Sequence, residues 1–333
     1  MRARKASIVL CPLFLGIAFG ASSAWATCGS ANCFLVTGTQ EGVRPSGILT
    51  VDLTYRYISQ SRKLEGSKEV SDVLVPTIDF DNGVIDTSDL HREIRTQNTL
   101  VEVDLSYGVT PRLTIAGSLP IINQRDHEHY HEAGTPTEHF SNQDGTSGFG
   151  DVRVGARYAF VVKTKDLLAG GLAIKFPTGA YTLLDSEGKI NEPTIQPGTG
   201  ATDVILSVYY AHQVVPARFE WFASTAWRDP GENDLDYELG DETLASAGIR
   251  HKPGDKVTWS LQANLRRTAR DQFRSQEVPS TGGTWIDLTP GLQFDAGTGT
   301  SLYGFFQYPV SQDVNEMQLA PRGAFLAGVS KSF

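Results

Sequence analysis

The sequence has few of the features that mark several common classes of protein. Its 333 residues include 3 Cys, which is too few for a small scaffold held together by many disulfides. No apolar run reaches the ~18 residues that a membrane-spanning helix requires. The formal net charge is −9, and Lys and Arg form no cluster that would neutralise phosphates. A disulfide-rich mini-protein, a multispanning helical membrane protein and a nucleic-acid binder are therefore excluded.

Residues 1–26 have the pattern of a secretory signal peptide. Basic residues precede an apolar run over Ile8–Phe19, and Ala24-Trp25-Ala26 matches the small-x-small pattern of a cleavage site. The run is too short to anchor the chain in a membrane, and the residues before Cys28 lack the aliphatic residue of a lipoprotein signal. We predict cleavage after Ala26 and export of the mature chain.

Two cysteines remain after this cleavage. Cys28 and Cys33 are close enough in sequence to close a small loop in the oxidising periplasm. There is no C-x-x-C, no haem-attachment sequence and no second cysteine pair, so a redox or metal role has no support. We predict a structural disulfide in an N-terminal periplasmic extension, residues 27–45.

From Ser46 onward, apolar and polar residues alternate. The clearest segment is 257–265, in which every second residue, from Val257 to Leu265, is apolar and the residues between them are Thr, Ser, Gln and Asn. Segments 49–57, 101–107 and 151–160 have the same pattern. A period of two indicates β-strands with one apolar and one polar face.

Short and long connections alternate along the chain. Tight turns rich in Gly, Pro, Asp and Thr are predicted at 108–111, 164–166, 214–216, 252–255 and 295–299. Long polar stretches lie near 60–91, 125–148, 178–200, 229–240, 269–282 and 310–320. This count implies twelve strands with both ends on the short-turn side.

That arrangement is typical of bacterial outer-membrane barrels. A secreted β-sandwich would also alternate, but its loop lengths need not segregate by side. The alternating end of the chain at Phe333 is similar to the signal that the outer-membrane assembly machinery recognises. We therefore predict an all-β protein: residues 46–333 form an antiparallel transmembrane β-barrel of about twelve strands, with short periplasmic turns and long extracellular loops.

Two Gly-rich segments each end in an aspartate at the start of a predicted strand. These are Gly148-Phe149-Gly150-Asp151 and the segment 198–203, which ends in Asp203; Phe176-Pro177-Thr178-Gly179 closes the strand between them. With the Phe333 terminus, these residues resemble the outer-membrane transporter family named after the meta-cleavage pathway of phenol degradation. The resemblance runs from about Val101 to Phe333. It implies a membrane barrel that passes small aromatic or hydrophobic compounds. Residues outside this pattern include the cysteine loop, the first long loop and the His-rich second loop.

Charged residues on the polar parity of the strands are expected to face the lumen, because Arg or Lys facing lipid at mid-membrane costs ~2–4 kcal/mol. A twelve-stranded barrel is narrow, so ion pairs across it would constrict the pore. Both signs are present, so the sequence predicts no preference for anions or cations. The lumen-lining candidates are Asp52, Arg56, Glu102, Asp104, Arg112, Arg153, Arg157, Lys175, Glu220, Arg250, Lys256 and Arg266.

Four of the seven histidines fall within the second long loop. If residues 127–131 are extended, His127, His129 and His131 point to one side, and His139 follows nearby. Imidazoles in this arrangement could bind Zn²⁺, Cu²⁺ or Ni²⁺. The alternatives are a solvated loop tip and a lid whose histidines become charged near pH ~6.5.

The outer loops are also acidic, over 65–89 and 229–242. No EF-hand spacing is present, so we expect solvated faces that bridge weakly, through divalent ions, to lipopolysaccharide. Catalysis is not expected. The strand-borne histidines are His212 and His251, both next to tight turns, and the sequence has no Gly-x-Ser-x-Gly elbow.

Three functions remain open on the sequence alone. The first is a conduit in the outer membrane for a small-molecule solute. The second is metal capture by the His-rich and acidic outer loops, and the third is a structural barrel that holds a periplasmic partner through the Cys28–Cys33 segment. The lipid bilayer is the expected environment for all three, and no cofactor is required unless the outer loops hold a divalent metal.

Overall fold

The computed structural model describes residues 42–333. The predicted signal peptide and the predicted Cys28–Cys33 disulfide lie outside the described residues. Within them, nearly all regular structure is β, and one 3₁₀ turn spans Pro193–Ile195. No helix in this range is long and apolar enough to cross a membrane.

The strands of the described range are numbered in chain order. They are β1 (Leu49–Glu65), β2 (Lys68–Glu69), β3 (Val73–Asp79), β4 (Val84–Gly108), β5 (Leu113–His131), β6 (His139–Ser141), β7 (Thr146–Gly148), β8 (Arg153–Val162), β9 (Asp166–Lys175), β10 (Asp203–Val215), β11 (Phe219–Asp229), β12 (Tyr237–Glu238), β13 (Glu242–His251), β14 (Val257–Thr268), β15 (Gln272–Phe273), β16 (Gln276–Glu277), β17 (Gly283–Gly297), β18 (Thr300–Val314) and β19 (Met317–Ser332).

Twelve long strands form a closed antiparallel barrel. Their order around the barrel is β1, β4, β5, β8, β9, β10, β11, β13, β14, β17, β18 and β19, and β19 pairs again with β1. At this seam Thr50 lies opposite Ser332, and the Phe333 N–H donates to the Leu49 carbonyl over 2.9 Å. A closed barrel leaves no unpaired strand edge in the membrane. The predicted twelve-stranded antiparallel barrel is confirmed.

The alternation in sequence sets the two faces of the wall. On β14, Leu261 is 38% exposed on the outside, whereas the next residue, Gln262, is 1% exposed on the inside. The same contrast recurs around the barrel, so the outside carries a belt of exposed apolar side chains. Hydrocarbon is the environment that such a belt matches.

The long strands extend beyond this belt at the end opposite the tight turns. On β5 the outward residues Ile115, Leu119 and Ile122 are apolar, but the outward residues that follow include Asp126 and Glu128. Glu128 accepts a hydrogen bond from Arg95 of β4 on this outer face, over 2.6 Å. The part of the β4–β5 hairpin beyond Ile122 therefore projects out of the hydrocarbon on the extracellular side.

Several predicted loops differ from the structure. The stretches 60–91 and 125–148 contain strand, including the ends of β1 and β5. The predicted loop at 310–320 was wrong, because β18 and β19 run through it and only Asn315 and Glu316 connect them. Polar residues occur on both faces of a strand above the membrane, so the alternation that identifies a membrane strand is lost there.

The barrel interior has one apolar side. Nine buried residues of β1, β17, β18 and β19 form a continuous cluster, named here the interior stripe: Ile58, Leu64, Trp285, Tyr303, Phe305, Val314, Ala320, Ala324 and Leu326. It extends from Tyr303, near the periplasmic end of β18, to Val314 at the extracellular end. The sequence predicted a charged lumen, and the structure adds this apolar wall.

A small sheet lies among the extracellular connections. Strands β12, β15 and β16 form it. Tyr237 of β12 and Phe273 of β15 pack with Val278 in a buried apolar cluster. Phe80, from the β3–β4 connection, packs edge-on against Phe273 with ring centroids 5.3 Å apart. The extracellular connections are thus packed against one another and have a small apolar core of their own.

Candidate functional site

The wall next to the interior stripe carries a buried charge cluster on β1, β4 and β8. Glu102 is 1% exposed and lies between two guanidinium groups. Arg56 donates to Glu102 Oε1 over 3.1 Å, and Arg153 donates to both carboxylate oxygens over 3.0 Å. Nearby, the Ser118 hydroxyl donates to Asp104. These charged side chains lie inside the barrel and hold one another in place, because hydrogen bonds to charged groups are strong.

At the periplasmic end, Arg44 precedes β1 and points into the barrel. Its backbone N–H donates to Thr114 Oγ1 over 2.7 Å, and its side chain donates to Ser106 Oγ over 3.1 Å. Asp52 lies 4.0 Å from the same guanidinium group. The chain that enters β1 therefore lines the periplasmic mouth of the lumen.

The two aspartates of the Gly-rich segments meet on one lysine. Lys175 Nζ lies 2.9 Å from Asp151 and 3.0 Å from Asp203. The second oxygen of Asp151 accepts the Gly179 N–H over 2.9 Å. Gly179 and Gly198 approach so closely that a Cβ on either would clash with the other's backbone, so both positions require glycine. The repeated motif thus fastens the β9–β10 connection to the barrel wall.

The remaining lumen candidates fall into two groups. Arg250 pairs with Glu220, Arg266 lies 3.2 Å from Glu242, and Arg157 lines a cavity of about 170 Å³ bordered by small residues of β8 and β9. Arg112 and Lys256, in contrast, lie on tight turns outside the strands and are exposed. The predicted alternation ran one residue past the strand end at each of these turns.

A pocket opens at the extracellular end of the lumen. It has a volume of about 100 Å³, and its lining combines apolar residues with polar ones that include Glu93, His127 and Glu192. Leu319, next to Ala320 of the interior stripe, lies in its wall. The apolar lining residues are Val75, Pro76, Ile78, Pro193, Ile195, Val278, Pro279 and Leu319. We name this cavity the outer pocket. It has the size and the character of a site for one small apolar molecule.

The polar side of the outer pocket leads to a column of buried histidines above the membrane. His127, His129 and His131 alternate along β5 and all face inward, each about 2% exposed. Successive ring centroids are 4.5 and 4.4 Å apart, and His91 of β4 packs edge-on against His129 at 4.7 Å. The structure therefore places these residues on a buried strand face, not at a solvated loop tip.

Carboxylates surround this column. Asp144, fully buried, accepts from His129 Nε2 over 2.8 Å and from His131 Nε2 over 3.0 Å. Glu93 Oε2 lies 3.5 Å from His127 Nε2, and Glu192 Oε1 lies 3.4 Å from His91 Nδ1. Each imidazole thus has a carboxylate partner within 4 Å.

Burial lowers the pKa of a histidine, whereas a carboxylate neighbour raises it. Burial lowers the pKa of His129, but the hydrogen bond with Asp144 and the charge of Glu93 outweigh it and raise that pKa to about 10. Burial dominates at His127, whose pKa is lowered. Burial raises the pKa of Asp144. The hydrogen bond with His129 outweighs burial, so the pKa of Asp144 lies below its ordinary value. Adjacent imidazoles of one column therefore differ in charge at neutral pH.

The family is decided by a sequence match. A family model described as "Putative MetA-pathway of phenol degradation" matches residues 87–303. The chain belongs to this family. The resemblance predicted from the Gly-rich segments is confirmed, and the match begins before Val101. No curated protein matches the sequence.

Solved structures agree with the fold of this phenol-degradation family member. A crystal structure of an outer membrane channel from Pseudomonas putida F1 has a TM-score of 0.66 and 13% identity, over 90% of this chain and 100% of that chain. The NanC porin has a TM-score of 0.43 and 11% identity, over 85% and 98%. A FadL homologue of Pseudomonas aeruginosa has a TM-score of 0.42 and 12% identity, over 85% and 90%. The P. putida channel supports the outer-membrane barrel fold.

Sequence reasoning missed several residues of the site in this family member. His91, Glu93 and Asp144 were not singled out, and Glu192 lies 101 positions from the histidine that it contacts. Asp144 ends the short segment Ser141–Asp144, where no periodic pattern marks it. Of these residues, only Glu93 could have been inferred from strand pairing, because it lies opposite His129 in the β4–β5 register.

Proposed function

We propose that the protein is a narrow outer-membrane conduit for small hydrophobic or aromatic molecules. The observation that carries this proposal is the continuity of the apolar lining. Leu319 in the wall of the outer pocket directly precedes Ala320 of the interior stripe on β19, and the stripe continues past Phe305 to Tyr303 near the periplasmic end. A small apolar solute would remain in contact with apolar side chains over most of the length of the barrel.

The charged wall explains why such a conduit would exclude bulk water and large solutes. Glu102 and its two arginines occupy the part of the lumen wall next to the stripe. Displacing a buried ion pair costs free energy, whereas sliding along apolar and aromatic surface does not expose unpaired polar groups. Passage would therefore favour small apolar molecules over ions and sugars.

The surroundings of the barrel follow from its position. The exposed apolar belt faces the lipid bilayer. We further propose that the acidic extracellular connections contact lipopolysaccharide through divalent ions, and that the assembly machinery recognises strand β19. Competition with a peptide of residues 325–333 during assembly into vesicles tests the second of these proposals.

Flux into proteoliposomes tests the conduit itself. Uptake of benzyl alcohol, measured above the leak of protein-free vesicles, and of graded sugars is followed for the full-length barrel and for Phe305→Gln, which places an amide in the stripe. Phe306→Gln is the matched control, because Phe306 is the next residue and faces outward. We expect about a 3- to 10-fold slower uptake of benzyl alcohol in Phe305→Gln, from a transfer cost of about 1 kcal/mol, and wild-type uptake in Phe306→Gln.

Other outcomes distinguish the alternatives. Swelling that depends only on solute size would indicate a general pore. No flux of any solute would refute the conduit and leave a structural barrel.

A further inference from the structure

Three buried side chains and one partly exposed one converge above the membrane. His91 and Glu93 come from β4, His129 from β5 and Glu192 from the β9–β10 connection. One nitrogen or oxygen atom from each lies within 4.8 Å of the others. His91 Nδ1 is 3.4 Å from Glu192 Oε1, and His129 Nδ1 is 3.8 Å from Glu93 Oε1.

Two of these atoms are buried without a hydrogen-bond partner. They are His129 Nδ1 and Glu93 Oε1, on side chains that are 2% and 8% exposed. A buried polar atom that is left unpaired destabilises the fold, and a charged one does so more strongly. Both atoms point at the same space, so a single ligand between them would satisfy both.

The other side of each imidazole is already fixed. His129 Nε2 bonds to Asp144 over 2.8 Å, and His91 Nε2 bonds to Thr77 Oγ1 over 3.1 Å. Histidines that bind metals usually donate the second ring N–H to a carboxylate or another oxygen, which sets the tautomer and the ring orientation. With Nε2–H donated outward, each Nδ1 points toward the shared space, and an ion bound there would displace the proton that His129 carries at neutral pH.

From this geometry we propose that His91, Glu93, His129 and Glu192 bind one divalent transition-metal ion, with Asp144 and Thr77 orienting the imidazoles. Two imidazoles and two carboxylates are ligands that Zn²⁺ accepts in tetrahedral sites. Metal–ligand distances of ~2.0–2.2 Å place neighbouring ligand atoms ~3.3–3.5 Å apart in such a site. The observed 3.4 and 3.8 Å are close to that spacing, and the two carboxylates match the charge of the ion.

This set differs from the one that sequence alternation predicted. Of the predicted ligands His127, His129, His131 and His139, only His129 belongs to it. His131 and His139 form a separate group with Glu187, in which His139 and Glu187 are exposed. An ion at the buried set would also tie the β9–β10 connection, through Glu192, to the wall of the barrel. Glu93 and Glu192 also line the outer pocket, but the ion site does not rest on the proposed passage of a solute.

Calorimetric titration with Zn²⁺ alone tests the site on the full-length barrel in detergent after treatment with a chelator. We expect one ion per barrel. His129→Ala and Glu192→Gln should abolish this event, and Asp144→Asn should weaken it about 10- to 100-fold. His139→Ala is the matched control and should bind as the wild type does. Retention of the folded barrel in each variant is checked by its resistance to unfolding in SDS without heating.

Two further results bear on the assignment. Co²⁺ in place of Zn²⁺ should give the intense visible absorption of a tetrahedral site, and Glu192→Gln should remove it. Binding that survives His129→Ala in a folded barrel, or that is lost in His139→Ala, would overturn the proposal. Absence of any Zn²⁺ binding by the wild type would overturn it as well.

Discussion

Replacing Lys175 by Met is the sharpest test of the buried charges in the barrel. Lys175, Asp151 and Asp203 are 3%, 5% and 0% exposed, and the ammonium group is within 3.0 Å of both carboxylates. Methionine keeps the length of the side chain but leaves two buried carboxylates facing each other. Removing one partner of a buried pair costs about 3–5 kcal/mol.

The surroundings place the expected loss at the lower end of that range. Asp151 keeps donors from the Gly179 and Thr199 backbones, and Asp203 keeps Arg228 at 3.7 Å. We therefore expect a loss of about 3 kcal/mol in the free energy of unfolding. With a urea dependence of about 3 kcal/mol per molar, the unfolding midpoint in lipid vesicles falls by about 1 M.

The assay follows tryptophan fluorescence during urea unfolding of the refolded barrel. Lys165→Met, on an exposed periplasmic turn, is the control and should shift the midpoint little. Asp203→Asn added to Lys175→Met should recover part of the loss, because it removes one of the two facing charges. An equal midpoint for the Lys175 and Lys165 variants, or no recovery in the double variant, would refute the reasoning.

Further predictions concern the outer sheet and the lipid-facing belt. Tyr237 donates to Asp271 over 2.6 Å, and burial, then this carboxylate, raises the pKa of its phenol. Its folded-state pKa exceeds the unfolded value of ~10, so the neutral phenol stabilises the outer sheet below pH ~10 and that stability falls as the pH rises further. In a titration at 295 nm, Tyr237→Phe should remove one late-ionising tyrosine; unchanged late absorbance would contradict this. Val208→Arg, in the lipid-facing belt, should cost about 2–4 kcal/mol in unfolding experiments, whereas Asp126→Arg, outside the belt, should stay within about 0.5 kcal/mol. Similar costs for both would show that the belt is misplaced.

The strand pattern was predictable because it depends on neighbours in sequence. Each membrane strand must put apolar groups outside and polar groups inside, so residues such as those of 257–265 reveal it directly. The tight turns were equally local. Twelve strands and their order therefore followed from alternation and connection length.

The vertical extent of the strands was not predictable in this way. Above Ile122 the outward face of β5 contacts water, so Asp126 and Glu128 alternate with inward histidines and both faces are polar. The pattern of a water-exposed strand is then the same as that of a loop. At the tight turns, Arg112 and Lys256 fit the parity but lie beyond the strand ends.

The interior stripe and the metal ligands depend on contacts that sequence spacing does not reveal. Leu64 has the same inward parity as Ile58 on β1, but spacing does not show that both pack with residues of β17, β18 and β19. Glu192 reaches His91 only because the β9–β10 connection folds back over the lumen. Such pairings are set by the closed barrel as a whole, and no local period encodes them.

The seam between β1 and β19 has a consequence for the order of assembly. It joins segments about 280 positions apart, as the bond between Thr50 and Ser332 illustrates. Until it forms, the first and last strands each present a full row of unpaired backbone groups, which is most costly inside a bilayer. Contacts so distant in sequence form slowly. Closure of the seam is thus expected to be the late, rate-limiting event of folding, and variants that weaken β19 should accumulate as open sheets prone to aggregation.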